Sequence, residues 1–338
     1  MILVKRIFFV LFLFSIETAL SEPVKTDPPA VLNAEQVHIG KEALLKMIEA
    51  MQSLSFQGTV VFFKDGKLEP MRYFHAFNNG VEQERLVSLN SPLREIIRDA
   101  GKVSCVYKAT QQVVVNHRPF ERSFLIDFPK DLDVLSVSYD VDIVGDDSVA
   151  LLPAYVISIK PKDKLRYERT IWVDKEHFLP IKVVINNFSS TTLEQYVFTD
   201  LEIKSKLPFV DVKVSSADNP VQSLYKLQAQ SLEQAAFTVT KLPQGFREIF
   251  FTRRPMHNSE QPVDHLLLSD GLASVSVYME HKNSALKSGL FASKSVESVG
   301  AVNFFSQTLG DYELTVMGEV PAETVKLIAE GVKLRSVH

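Results

Sequence analysis

The chain has 338 residues, with 37 Lys and Arg against 41 Asp and Glu, eight His and one cysteine. A net charge of −4 leaves no basic surplus for nucleic acid, and a lone Cys105 excludes an intramolecular disulfide, so a hydrophobic core must hold the fold. A chain above 300 residues is long enough for such a core and favours two domains over one.

Lys5-Arg6 precede an apolar run from Ile7 to Phe14, and Ala19-Leu20-Ser21 offers small residues to a signal peptidase. The run is well short of the ~20 residues a spanning helix needs. Residues 1–21 therefore read as a cleavable signal peptide, which places the mature chain outside the cytoplasm. Losing Lys5, Arg6 and Glu17 leaves 35 minus 40, or −5. Residues 22–37, with Pro23, Pro28 and Pro29, read as a flexible leader.

A helix is expected at about 40–53, where Leu44, Met47, Ile48 and Met51 make one apolar face. A β region follows at once, rich in β-branched and aromatic residues from Ser55 to Phe63. Asp65-Gly66 and Asn79-Gly80 are two-residue hairpin signals, because such turns need positive φ at both positions. Further strands are expected at 93–98, 103–108, 112–116, 153–160, 166–173, 181–187 and 193–203, with a helical segment near 129–137. So many strands in a meander imply a strongly curved sheet or barrel.

Alternation gives this sheet one apolar face. Phe56, Val60 and Phe62 share a side, as do Met71, Tyr73 and Phe77. The same period groups Ile181, Val183 and Ile185, and sets Leu193, Val197, Leu201 and Ile203 against Glu194, Asp200 and Glu202. Either the helices fill this face or they leave a cavity for an apolar ligand, whose candidate lining is Phe56, Val60, Phe62, Met71, Tyr73, Phe77, Ile181, Val183, Ile185, Leu193 and Val197.

Residues 214–231, polar and Gln-rich around Pro220, read as a linker between a 38–213 domain and a 232–338 domain. The second domain restarts a β pattern at Phe237 and at Phe246–Phe251, turns at Asp270-Gly271, and continues with strands at 298–308 and 312–317. Pro321 then opens a C-terminal helix with Val325, Ile328 and Val332 as its stripe. Lys241, Arg247, Arg253 and Arg254 read as a local basic cluster, either a solvated loop or a contact for acidic partner residues or lipid phosphates. The expected class is α+β, mostly β.

Catalytic signals do not assemble. The histidines have no metal-ligand spacing, and no nucleophile elbow, phosphate loop or dinucleotide fingerprint occurs. Asp146-Asp147 reads as a solvated turn, His75 as a satisfied strand histidine and Cys105 as a small buried hydrophobe, so no cofactor or metal is expected.

Trp172-Val173-Asp174 followed by Leu179-Pro180-Ile181-Lys182 resembles the strand, turn and strand of the LolA/LolB-like fold, an unclosed β-barrel plugged by helices. Met71-Arg72-Tyr73 with His75-Ala76, Arg253-Arg254-Pro255, Ser269-Asp270-Gly271-Leu272, and Gly318-Glu319-Val320-Pro321 leading into Lys326–Glu330 resemble, in that order, the MucB/RseB family from about residue 38 to the C-terminus. The resemblance implies a periplasmic regulator that binds an RseA/MucA-type anti-sigma factor, shields it from the site-1 protease, and lets go when lipopolysaccharide or a related acyl lipid binds. Its alternative is a lipid or lipoprotein carrier of LolA type. Oligomeric state is left open.

Overall fold

The computed structural model describes residues 34–90, 93–99, 102–107, 112–117, 123–129, 131–210, 229–255, 261–282 and 296–335. The signal-peptide reading and most of the linker reading lie outside them.

Helix α1 (Ala34–Ser53) starts earlier than its apolar periodicity suggests and takes in residues 34–37, which read as leader in the sequence. Ala43, Leu44, Met47 and Ala50 are buried in the main core cluster, with Ile48 and Met51 packed against it. This is the amphipathic stripe doing its ordinary work.

Eleven antiparallel strands form one open sheet. The first meander comprises β1 (Ser55–Lys64), β2 (Lys67–Asn78), β3 (Val81–Ser88), β4 (Arg94–Asp99), β5 (Lys102–Tyr107) and β6 (Gln112–His117). After residues 123–129 and a 3-10 turn (Leu132–Val137), a second meander runs through β7 (Tyr139–Val149), β8 (Leu152–Pro161), β9 (Glu168–Asp174), β10 (Pro180–Asn186) and β11 (Thr192–Lys204). The two join through β1 against β11, giving the order β6-β5-β4-β3-β2-β1-β11-β10-β9-β8-β7. The sheet is unclosed, since β6 and β7 are its edges.

Asp65, Gly66, Asn79 and Gly80 all take positive φ, the conformation their hairpins require. Strand β7 went unforeseen. Asp146 and Asp147 lie within it rather than in a turn, and the turn comes at Ala150 and Leu151, also at positive φ. Neither residue carries the Gly or Asn signal that marks such a turn.

Two bulges correct the alternation. Beside Thr199 the β1–β11 ladder shifts register, so Val60 pairs with Phe198 while Thr59 pairs with Asp200. Before the bulge Tyr196 and Phe198 face the core; after it Leu201 and Ile203 pack there. Val197 accordingly lies in an outer cluster with Trp172, and Leu193 belongs to none of the hydrophobic clusters. A second shift, between Pro180 and Lys182, puts Ile181 in that same outer cluster while Val183 joins the core. A bulge inserts one residue and inverts the phase of everything beyond it.

The C-terminal part has β12 (Phe237–Val239), β13 (Arg247–Pro255), β14 (Pro262–Ser269), β15 (Ser274–His281), β16 (Val296–Val299), β17 (Val302–Leu309), β18 (Tyr312–Gly318), helix α2 (Ala322–Gly331) and β19 (Val332–Leu334). Strands β13-β14-β15-β18-β17-β16 form a smaller antiparallel sheet, and β12 pairs with β19. The stretch 298–308 is a hairpin rather than one strand, turning at Gly300. Pro321 caps α2, whose Val325 and Ile328 are buried in a second core cluster; Val332 is buried too, but from β19.

Candidate functional site

The concave face of the large sheet is closed core at its centre. Phe56, Val60 and Tyr73 are at most 1% exposed, packed with α1. Toward one rim the packing opens into a cavity of about 310 Å³ lined by Phe62, Val183, Ile185, Tyr196, Leu125 and Ile126. A second, more open hollow of about 390 Å³ shares Phe62 and Lys64 with it and adds Met71, Leu86 and Val299. Of the candidate lining, Phe62, Met71, Val183 and Ile185 thus border hollows. Phe56, Val60 and Tyr73 are core, Phe77 is half-buried outside the main cluster, and Ile181, Leu193 and Val197 are displaced by the bulges.

Residues 123–129 cross this face, and a buried carboxylate holds them there. Glu84 accepts hydrogen bonds from the Tyr73 hydroxyl (2.9 Å), Arg98 Nε (3.0 Å), the Ser123 hydroxyl (2.5 Å) and the Phe124 amide (2.8 Å). Four donors satisfy a charge that is 1% exposed. Cross-strand register builds the row, since His75 lies opposite Glu84 and Glu84 opposite Arg98. His75 Nδ1 lies 2.7 Å from the Leu54 carbonyl and its Nε2 3.1 Å from Glu82. Burial raises the Tyr73 hydroxyl well above its ordinary range, with Glu84 adding to the effect. Burial opposes ionisation of Glu82, but bonds to His75 and Arg98 outweigh it and hold the carboxyl low. His75, Glu82 and Glu84 are close enough to bind a cation. The Arg98 guanidinium, bonded to both carboxylates, already supplies that charge. Cys105 is half-buried on β5, opposite Ile96.

The smaller sheet meets the cavity from the other side. Leu272, in the β14–β15 turn, lines the cavity and belongs to the main core cluster, and Glu319 lines it while bonded to Arg169 at 3.0 Å. Beneath lies a second saturated carboxylate. Asp270 accepts from the Leu272 and Ala273 amides (3.0 and 2.8 Å), the Tyr139 hydroxyl (2.9 Å) and Arg166 Nε (2.5 Å). Arg166 also stacks near Tyr139 and Phe246, and its charge is held on by Asp270 against the pull of burial. Around it, Ser138 bonds the Gln244 carbonyl, Thr324 the Leu165 carbonyl and Asn303 the Tyr167 hydroxyl. At the rim, the Gly300 and Ala301 amides donate to Asp65 and Glu194. None of Leu125, Ile126, Arg166, Asp270 or Leu272 was a sequence candidate; a carboxylate read as a turn residue carries no sign of a partner 104 residues away.

The basic candidates do not form a cluster. Arg253 is paired with Asp264 on β14, Lys241 lies 3.5 Å from Glu330 on α2, Arg247 is exposed at the far end of β13, and Arg254 is half-buried on the opposite face from Arg253.

Residues 40–236 match the MucB/RseB N-terminal domain and residues 231–333 the MucB/RseB C-terminal domain. The chain belongs to the MucB/RseB family. It is 27% identical to the sigma-E factor regulatory protein RseB of Escherichia coli K12 over 302 residues, 89% of this chain and 92% of that one. It is 28% identical to the sigma factor AlgU regulatory protein MucB of Pseudomonas aeruginosa over 308 residues, with the same coverage. The solved MucA/MucB complex of P. aeruginosa matches at a TM-score of 0.68 and 25% identity, over 88% of this chain and all of that one. MucB solved alone matches at 0.59, also at 25% identity, over 88% of this chain and 98% of that one. The family is one of regulatory proteins of sigma factors, mostly β, and the MucB/RseB pattern spans both sheets of this chain.

Proposed function

We propose that this protein is a periplasmic regulator that binds the periplasmic segment of a MucA/RseA-type anti-sigma factor, shields it from its first protease, and releases it when an acyl lipid occupies the rim cavity. The observation that carries the reading is the match along nearly the whole chain to MucB in a complex with MucA. The cavity supports the lipid half: about 310 Å³ is at the lower end of ligand pockets, and Phe62, Phe124, Leu125, Ile126, Val183 and Leu272 give it an apolar side, while the paired Lys64–Glu194 and Arg169–Glu319 make its other side polar. The junction supports coupling. Leu272 and Glu319 of the smaller sheet line the same cavity, so an occupant touches both sheets. If lipid and partner prefer different arrangements of that junction, each weakens the other by the same factor.

The test is a purified cleavage assay with the full-length chain, the anti-sigma factor's periplasmic segment and the site-1 protease. Protection is expected, and added lipopolysaccharide fragments are expected to remove it. Lack of protection under every condition overturns the regulator reading in favour of a carrier. Protection that is indifferent to lipid overturns the release step alone.

A further inference from the structure

The segment over the cavity is anchored at both ends to buried carboxylates or their turns. At its start, the Ser123 hydroxyl and the Phe124 amide are held by Glu84, and the Ser123 amide donates to Asp127 at 2.7 Å, which folds the segment on itself. In the middle, Leu125 and Ile126 are buried in the main cluster while bordering the cavity. At its end, Pro129 packs on Gly271: a Cβ added there would meet Pro129 at 3.2 and 3.4 Å and Val134 at 3.5 Å. Gly271 has a φ of +103°, which strains any other residue, and it follows Asp270, the residue that holds Arg166 and Tyr139. A continuous set of contacts therefore leads from the cavity wall to the bond between the sheets.

We infer that residues 123–129 are a strap that reports occupancy of the cavity to the sheet junction: an acyl chain entering beside Leu125 and Ile126 lifts the strap, and Pro129 withdraws from the Asp270-Gly271 turn. The inference rests on the acyl-lipid reading of the cavity. Its physical content is a two-position element biased at both ends. The strap stays down through its bonds to Glu84 and the burial of Leu125 and Ile126, and an occupant replaces that burial with its own. Weakening the Glu84 end cheapens opening. Loosening the Pro129 end also favours the lifted position, and it frees the junction whether or not the cavity is occupied.

The experiment uses full-length protein with Cys105→Ser and one reporter thiol at the junction, Val134→Cys, which borders Gly271 and does not line the cavity. Ser138→Cys, at the Gln244 contact, is the second reporter should the first fail to fold. Maleimide labelling is followed with and without cis-parinaric acid, whose fluorescence reads binding independently. Labelling is expected to accelerate when the fatty acid binds. Ser123→Ala, which loses the hydroxyl's bond to Glu84 and the Leu125 amide's bond to that hydroxyl, should bind it at least about tenfold more tightly. Pro129→Gly, which removes the contact with Gly271 without any ligand, should label fast with and without the fatty acid and bind it no more weakly than the parent. Bound fatty acid with unchanged labelling at both reporters overturns the strap, and so does a Pro129→Gly protein that responds like its parent. No binding to the parent or to Ser123→Ala overturns the acyl-lipid reading itself, and the strap's role falls with it.

Discussion

Arg166 Nε lies 2.5 Å from Asp270 Oδ2, and neither side chain has any exposure to solvent. One residue precedes β9 of the large sheet and the other forms the β14–β15 turn of the small one, so a single buried ion pair spans both. Such a pair is a poor source of net stability, because desolvation offsets much of its attraction, but breaking it strands a charge. It therefore specifies how the sheets meet more than how firmly.

Asp270→Ala is expected to destabilise the protein by about 3–5 kcal/mol in urea unfolding, since Arg166 would stay buried with less than its full set of acceptors. Arg166→Met combined with Asp270→Leu should recover part of that loss. Full recovery is not expected, because Asp270 also accepts the Leu272 and Ala273 amides of its own turn. A double-mutant cycle with no coupling between the two sites contradicts this account.

Gly300→Ala should loosen the rim. The position has φ +61°, and an added Cβ would collide with the Glu194 carboxylate and crowd Lys64, the pair that receives the Ala301 amide. A loss of about 1–3 kcal/mol is expected from backbone strain alone. A variant as stable as wild type would mean that the β16–β17 hairpin does not hold this contact in solution.

His265 makes stability depend on pH. Burial, and then the nearby Arg254 charge, lowers its pKa from 6.5 to about 4; its ring stacks 4.3 Å from Tyr278 and its Nε2 is 3.1 Å from the Ser276 hydroxyl. The unfolded chain binds the proton first, so this contribution is full above about pH 6.5 and is lost as the pH falls toward about 4. Between pH 7 and pH 5 the loss is on the order of 2 kcal/mol. His265→Phe should flatten the denaturation midpoint over that window, and an unchanged slope would sink the assignment.

Val60→Asp and Phe62→Ser separate core from cavity. Val60 has no exposure, so a carboxylate there should unfold the large sheet, seen as loss of cooperative melting in circular dichroism. Phe62, half-buried between two hollows, should tolerate Ser with a folded spectrum and several-fold weaker binding of an acyl probe. Undiminished binding by folded Phe62→Ser protein would remove this rim as the lipid site.

The hairpins were legible because Asp65-Gly66 and Asn79-Gly80 state their backbone needs in residue type, as Gly271 does alone in the longer β14–β15 turn. Strand β7 was not, since its acidic residues resemble a loop and its Ala150-Leu151 turn pays for positive φ without a glycine. Alternation located Phe62 and Val183 correctly and failed at Ile181 and Val197, where one extra residue in the ladder reverses the faces. The strap was illegible for another reason. Residues 123–129 have no periodicity, and what holds them is Glu84, 39 residues earlier, in a strand where a carboxylate reads as solvent-facing.

Within the large sheet, β1 through β6 and β7 through β11 each pair only with neighbours in sequence, and one ladder, Ser55 with Lys204 through Lys64 with Glu194, makes the two runs a single sheet. Each run can assemble from local hairpins, whose closure is fast. The joining ladder must wait until β11, which begins at Thr192, 128 residues after β1 ends at Lys64, has been synthesised, and its closure entropy is met before any contact rewards it. The slow phase of refolding should therefore be the β1–β11 docking. Until then β1 and β11 present bare edges, and it is in that interval that the newly made chain is most exposed to pairing with copies of itself.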